Sequence, residues 1–515
     1  MEKIIVVNDS TRRDGSGFDV DRIRDVPVVT AREYLTDPDF AALKKVRVFN
    51  LCYPYRYQTR AYYVSLLAEA RGHKVIPGVM TMRDLNEPTI IRIISDELDS
   101  LIEKTLSNTP ENDFFLNIYF GRTRQNEYGR LGRELYNLFP APLLRARFVQ
   151  RRNKNRWMLH SIRPLPFNDI PPEDRDPMYE AARVYFDRKR YSATKRDRFV
   201  YDMAILINPD DPAPPSDTEA INRFATAAEH CGFSVEIIGK GDYSRVGEFD
   251  ALFLRETTAV NHHTYRFARK AQADGLVVID DPDSILKCTN KVYLAELLGR
   301  ARIATPDTLI VHDKNRDQIE SRLGFPCVLK LPDSSFSQGV IKVTDHQELQ
   351  QALNKMLTTS DLVIAQKFTP TEFDWRIGLI DGKPLFACKY FMARDHWQIY
   401  NWEAGGNTTQ GNAQSISTHE DFSGEYESLP ISAVPAAVLQ TAIRASRLIG
   451  DGLYGVDLKE INGQPSVIEV NDNPNIDSDI EDAILKEELY NLIMQSFLRR
   501  LEQQKRAGFN SADLK

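Results

Sequence analysis

The chain has 515 residues, 42% hydrophobic and 27% charged, with a formal net charge of -7 and a pI near 5.8. That balance fits an ordinary globular protein of about three domains and argues against general nucleic-acid affinity, and no apolar run approaches the ~20 residues a membrane helix needs. The five cysteines (Cys52, Cys231, Cys288, Cys327, Cys388) are odd in number, scattered and without a C-x-x-C pair, so no disulfide framework or cysteine zinc site is signalled and a reducing cytoplasm is expected.

The chain opens M-E-K-I-I-V-V-N-D, a short apolar strand and not a signal peptide. Residues 1–195 read as one α/β domain. Ile4 to Val7 and Val46 to Leu51 are buried strands. Thr59 to Ala70 is an amphipathic helix closed by Arg71-Gly72, and Lys74 to Pro77 is a strand. Asp113 to Phe120 is a further strand. The loop C-Y-P-Y-R-Y after Leu51 lacks the glycines of a dinucleotide site. Leu143 to Leu165 is a basic hairpin turning at Asn153 to Asn155. It carries Arg145, Arg147, Arg151, Arg152, Lys154, Arg156 and Arg163. A solvated face explains it; a cradle for an acidic partner is the functional alternative.

Lys189 to Arg198 is a charged linker, and residues 200–285 form a second parallel α/β domain. Its strands are Asp202 to Ile207, Phe233 to Ile238, Ala251 to Leu254 and Leu276 to Ile279. Its helices are Thr218 to Cys231 and Tyr265 to Ala273. Arg255 follows a strand at the end where such sheets commonly face ligands; an exposed arginine is the plain alternative.

Residues 286–510 form the third domain. Ser284 to Leu298 reads as one helix with Lys291 in its middle. Thr308 to Val311 is a strand and Gln318 to Leu323 a helix. Phe325 to Val343 reads strand, polar loop, strand, with Lys330 ending the first strand beside Ser334, Ser335, Ser337 and Gly339. Backbone N–H groups beside a lysine can cover phosphates, although a generic hairpin loop reads the same. Leu362 to Phe368 is a strand at an inter-domain hinge. Asp374 to Ile380 and Pro384 to Tyr390 pair around Asp381-Gly382, with Asp374 and Arg376 on one face and Lys389 on the returning strand. Ala393 to Gln414 is polar and suits a lid, Pro435 to Ile449 is a helix, and Ile480 to Gln504 is helical.

The most informative stretch is Tyr454 to Asn475. Asn462-Gly463 is a hairpin-turn signal, and Glu469 and Asn471 share one strand face. A two-residue turn would set Asp457 opposite Ile468. A three-residue turn, Asn462 to Gln464, pairs Asp457 with Glu469, Leu458 with Ile468 and Val456 with Val470, and separates polar from apolar faces. Two carboxylates and an amide carbonyl then converge, a hard-oxygen set that suits Mg²⁺ or Mn²⁺. A solvated sheet face is the plain alternative.

Taken together, N-K-V-Y-L-A-E-L-L at Asn290, F-P-C-V-L-K at Phe325, I-A-Q-K-F at Ile364, D-W-R at Asp374, G-G at Gly405, G-V-D-L at Gly455 and I-E-V-N-D-N-P at Ile468 resemble the ATP-grasp ligases. The closest likeness is to the RimK group, which adds glutamate to protein or peptide ends. The resemblance spans about Asp202 to Asn475 and implies an ATP-grasp fold preceded by a pre-ATP-grasp domain, with residues 1–195 as an additional N-terminal α/β domain. It implies that Lys291 and Lys330 hold ATP phosphates. Gln366, Lys367 and Phe368 would line the adenine pocket, and Asp374 would meet the ribose. Asp457, Glu469 and Asn471 would hold Mg²⁺, and Arg376 and Lys389 would offset charge on the phosphoryl group. Asn401 is retained from the motif preceding the double glycine. Lys367 stands where members usually carry an acidic residue, and the loop Asp333 to Gly339 has fewer glycines than theirs.

The expected function is ATP- and Mg²⁺-dependent joining of a carboxylate to an amine through an acyl phosphate, adding glutamate to a peptide or protein acceptor. Such chemistry needs positioning and positive charge at the phosphate oxygens. A glutathione-synthase-like dipeptide ligase and a non-catalytic ATP-binding regulator are the alternatives. Amino acid and peptide or protein are the expected partners, a homo-oligomer is compatible, and no membrane or nucleic-acid partner is expected.

Overall fold

The computed structural model describes residues 2–9, 18–19, 22–23, 26–43, 46–87, 91, 98–151, 156–186, 199–211, 213–333, 339–392 and 425–512. Its backbone contacts divide into two compact units. One comprises Met1–Arg198 with Gly241–Phe249, the other Phe199–Lys240 with Asp250–Lys515.

In the first unit, strands β1 (Glu2–Val7), β2 (Val28–Thr30), β3 (Val46–Asn50) and β4 (Lys74–Ile76) form a parallel sheet in the order β2-β1-β3-β4. The β-branched runs of β1 and β3 are buried throughout, as a sheet covered on both faces requires. The helix Arg60–Ala70 starts at the Thr59 cap, whose side chain accepts from the Tyr62 N–H. A separate antiparallel sheet holds β5 (Asp113–Tyr119), β6 (Leu143–Arg151) and β7 (Arg156–Pro164). The arginines of this hairpin are largely engaged within the unit. Arg147 forks onto Asp113, Arg145 donates to Asn117 and Arg156 reaches Asp99. Phe148 and Trp157 are buried, so neither offers a stacking surface. The Arg151 side chain, Arg152, Lys154 and the turn at 153–155 lie outside the described residues, as does the linker at 189–198.

Among its described residues the second unit carries three sheets. Strands β8 (Tyr201–Leu206), β9 (Phe233–Ile238), β10 (Ala251–Leu254) and β11 (Val277–Ile279) are parallel in the order β11-β10-β8-β9. Strands β12 (Thr308–Val311), β13 (Cys327–Lys330), β14 (Val340–Val343) and β15 (Val363–Lys367) are antiparallel in the order β12-β15-β13-β14, so the segment expected to be a hinge is an inner strand. Strands β16 (Phe373–Ile380), β17 (Lys383–Phe391), β18 (Tyr426–Leu429), β19 (Leu453–Ile461) and β20 (Gln464–Asp472) form the third sheet, ordered β18-β17-β16-β19-β20. The helix Ala436–Ile449 covers one face, packing with Trp375, Ile377, Val456 and Val470 in one apolar core. The C-terminal helix Glu487–Ala512 packs on the parallel sheet. Tyr490 meets Phe224 with ring centroids 4.7 Å apart, and Phe497 meets Phe253 at 5.4 Å.

Two expectations are corrected. The helix expected over Ser284 to Leu298 is two helices, Pro282–Thr289 and Lys291–Arg300. Asn290 is extended between them and caps the second by accepting from the Tyr293 N–H, so Lys291 is a first-turn residue. In the β19–β20 hairpin, Ile461 pairs with Gln464, so the turn is the two residues Asn462 and Gly463, both at positive φ. Asp457 nevertheless pairs with Glu469 and Val456 with Val470, because the register shifts by one between Asp457 and Leu458. Leu458 pairs with Val467, and Ile468 is the extra residue of a β-bulge.

Candidate functional site

A cleft in the second unit is lined by the ends of β13 and β15, by the polar face of β16, β19 and β20, and by Thr257 and Thr258 after β10. Of the residues singled out from sequence, Lys291, Lys330, Gln366, Lys367, Phe368, Asp374, Arg376, Asp457, Glu469 and Asn471 all line it. Asn401, with the stretch at 393–424, lies outside the described residues, as do Ser334, Ser335 and Ser337.

The acidic face of the third sheet follows from strand alternation. Asp457 and Lys459 point one way along β19, while Val456 and Leu458 are buried on the other. The bulge turns Ile468 to the cleft beside Glu469. Asn471 donates from Nδ2 to Asp457 Oδ2 at 3.1 Å. Like charges facing across a strand pair need cations between or beside them. Here Arg376 forks onto Asp457, Nε to Oδ1 at 2.8 Å and Nη2 to Oδ2 at 2.9 Å. Lys291 Nζ lies 2.7 Å from Glu469 Oε1. Burial pushes the Glu469 carboxyl up. The charges of Lys291, Lys330 and Arg376 outweigh that, and its pKa lies below the usual carboxylate range.

Lys291 is held at the cleft wall by its neighbours. Its backbone N–H donates to Pro332 O at 2.9 Å, and Asn290 Nδ2 donates to Asp333 Oδ1 at 2.9 Å. Lys330 donates to Gln366 Oε1 at 2.9 Å, and Gln366 Nε2 donates to Thr308 Oγ1 at 3.0 Å. Desolvation is the main cause that pulls the Lys330 ammonium down to about 8, with Glu469 opposing and Lys291 adding to the shift. Lys367 and Phe368 use their backbone N–H groups on Asp307 O and Pro326 O. The Lys342 ammonium sits 4.4 Å from the centre of the Phe368 ring.

Asp374 accepts from Thr371 Oγ1 at 2.9 Å and from Lys459 Nζ at 2.6 Å. Burial raises its pKa above the ordinary value despite those bonds. Lys459 is a cleft cation that sequence reading missed, although it lies two residues from Asp457 on the same strand face. Thr258 and Asp472 were missed as well. Thr258 Oγ1 donates to Asp472 Oδ2 at 2.6 Å, and burial pushes the Asp472 carboxyl up to about 7.

Lys389 is a correction. Trp375 pairs with Lys389 and Arg376 with Cys388, so Lys389 shares the Trp375 face, opposite Arg376. Its ammonium reaches Glu427 at 3.0 Å and lies over the Phe373 and Trp375 rings. Arg255 is a second correction. It is 1% exposed and donates to Ser216 Oγ, Asn473 Oδ1 and Pro474 O, clamping the turn after β20 to the parallel sheet.

The oxygen set of Asp457, Glu469 and Asn471 fits a hard divalent cation, and the lysines and arginine that now neutralise the carboxylates fit an anion of high charge density. An arrangement of this kind can bind a polyphosphate with its metal and concentrate positive charge on a transferring phosphoryl group.

A family model for the RimK-like ATPgrasp N-terminal domain matches residues 31–181, and one for the RimK-like ATP-grasp domain matches residues 288–392. A probable alpha-L-glutamate ligase of Hydrogenovibrio crunogenus is 26% identical over 243 residues, covering 46% of this chain and 73% of that protein. The alpha-aminoadipate–LysW ligase LysX of Sulfolobus acidocaldarius is 23% identical over 266 residues, 47% of this chain and 87% of that one. Among solved structures, the D-alanine–D-alanine ligase of Bacillus anthracis aligns at 16% identity and a TM-score of 0.44, over 59% of this chain and 99% of its own.

Proposed function

We propose that this chain, which belongs to the RimK-like ATP-grasp ligases and forms carbon–nitrogen bonds between a carboxylate and an amine, adds glutamate to a peptide or protein acceptor. The observation that carries the reading is the convergence of Lys291, Lys330 and Arg376 on the Asp457–Glu469–Asn471 face of one cleft. Glutamate is favoured because several relatives are named probable alpha-L-glutamate ligases.

In this reading residues 1–195 are the accessory domain, 200–285 the pre-ATP-grasp domain and 286–510 the ATP-grasp domain. Asp457, Glu469 and Asn471 would hold Mg²⁺ or Mn²⁺, which supplies charge neutralisation at the phosphate oxygens when bound. Lys291 and Lys330 hold ATP phosphates, Gln366, Lys367 and Phe368 line the base, and Asp374 takes the ribose. Arg376, forked on Asp457, would offset charge on the transferring phosphoryl group. Lys459 is the cation beside Asp374, and Lys389 has no part. A carboxylate is a poor electrophile. Phosphorylation makes it an acyl phosphate that the amine attacks, releasing phosphate. Enclosing that acyl phosphate against water is part of the reading.

Incubation of the full chain with ATP, Mg²⁺, pooled amino acids and a peptide acceptor, followed by mass spectrometry, tests it. The expected outcome is glutamate-dependent ADP release and an acceptor heavier by glutamyl residues. ADP release with a different amino acid and no glutamyl product overturns the substrate assignment.

A further inference from the structure

Just outside the cleft, Glu256, His262 and His263 offer three ligand atoms that all lie within 4.8 Å of one another. Glu256 follows β10 and is 1% exposed, and His262 caps the helix His263–Ala273. Among the described residues, neither Glu256 carboxylate oxygen receives a hydrogen bond. His263 Nε2 is 2.8 Å from Glu256 Oε1 yet makes no hydrogen bond among the described residues, so the alignment of the two groups is poor. A buried carboxylate without hydrogen bonds is costly unless a cation satisfies it. A contact this close and this poorly aligned is what two ligands of a shared ion show.

We propose that Glu256, His262 and His263 bind one zinc-type divalent ion, a site separate from the nucleotide cleft and independent of the ligase reading. Two imidazoles with one carboxylate are the donors that Zn²⁺ takes, with a water completing four-coordination, whereas Mg²⁺ takes oxygen alone. Thr264 Oγ1 lies 3.1 Å from His262 Nδ1, and a hydrogen bond at one ring nitrogen fixes the ring when the other ligates. The ion pins the segment 255–258 in place. That segment meets the acidic strand end through several bonds: Asn473 Nδ2 donates to Glu256 O at 2.7 Å, Thr258 donates to Asp472, and Arg255 donates to Asn473 Oδ1 and Pro474 O.

The test uses the full chain, stripped with chelator and titrated with Co²⁺ and then Zn²⁺. Stoichiometric Co²⁺ should give the visible d–d absorption of a low-coordinate nitrogen–oxygen site, and Zn²⁺ should bleach it. His262→Ala and His263→Ala should each weaken binding by about 100-fold or more, whereas Glu469→Ala should leave the band unchanged. Glu256→Gln, which keeps side-chain size, should weaken binding while near-ultraviolet dichroism stays native; it decides the matter if a histidine variant does not fold. Absence of the band in the wild type, or a Glu256→Gln protein binding Co²⁺ as tightly as wild type, overturns the proposal and leaves a bare Glu256–His263 ion pair.

Discussion

Glu469 and Lys330 hold the sharpest expectations at the scale of single residues. Glu469→Ala removes an oxygen ligand and releases Lys291, but it takes nothing from the apolar core. Ligase turnover is expected to fall by at least about 100-fold in a protein that stays folded, measured by ADP release and near-ultraviolet dichroism. Full activity would refute the metal assignment. Lys330 carries a pH signature. Its ammonium is held down to about 8 by desolvation, so above that pH the ligand-free chain holds it mostly neutral. A bound polyphosphate favours the charged form. Nucleotide binding at about pH 9 should therefore draw a proton from solvent, and affinity should fall as pH rises through about 8. Calorimetry in two buffers of different ionisation enthalpy reads the uptake. Lys330→Arg, which does not titrate, should abolish it; uptake persisting in that variant would place the proton elsewhere.

At the scale of elements, alternation made the faces legible and bulges decided which residues reach the cleft. Asp374, Arg376, Asp457, Glu469 and Asn471 were readable because strand side chains alternate. Lys389 was misread for a specific reason. An unbroken hairpin around Asp381-Gly382 would set it opposite Asp374, but a one-residue shift between Gly378 and Leu379 pairs it with Trp375 instead. The bulge at Ile468 also hid the true turn length, since a three-residue turn and a two-residue turn plus bulge both pair Asp457 with Glu469. Lys291 was found only through resemblance. The apolar period of Ser284 to Leu298 runs through Asn290, whose capping role shows only in the structure. Deleting Ile468 should restore a regular ladder with every face preserved. We expect a folded protein whose turnover drops at least about tenfold, because Glu469 loses its aim; wild-type rates would mean that the bulge has no positioning role.

At the scale of the whole molecule, the three-sheet architecture of the second unit could be anticipated from strand and helix order, but its closure could not. The closing segment at residues 477–486 carries a buried acid, Glu481. It accepts from the Tyr390 hydroxyl and from the Asp477 N–H at 2.8 Å. Burial, then Asp477, pushes its carboxyl from 4.5 up to about 7. Between those values the folded chain keeps a proton that the unfolded chain has lost. The stability it contributes is present below about pH 4.5 and lost as pH climbs through about 7. The wild-type melting temperature should therefore fall more steeply between about pH 5 and pH 7 than that of Glu481→Gln; equal slopes would remove Glu481 from the pH dependence.

The helix Glu487–Ala512 has a consequence for how the chain is born. Phe224 and Phe253, laid down near the start of the second unit, meet their aromatic covers Tyr490 and Phe497 only at its far end. A ribosome making this protein adds more than two hundred residues between the two. Throughout that interval the apolar surface formed by Phe224 on its helix and Phe253 on its strand lacks its final cover, the kind of exposure through which nascent chains associate.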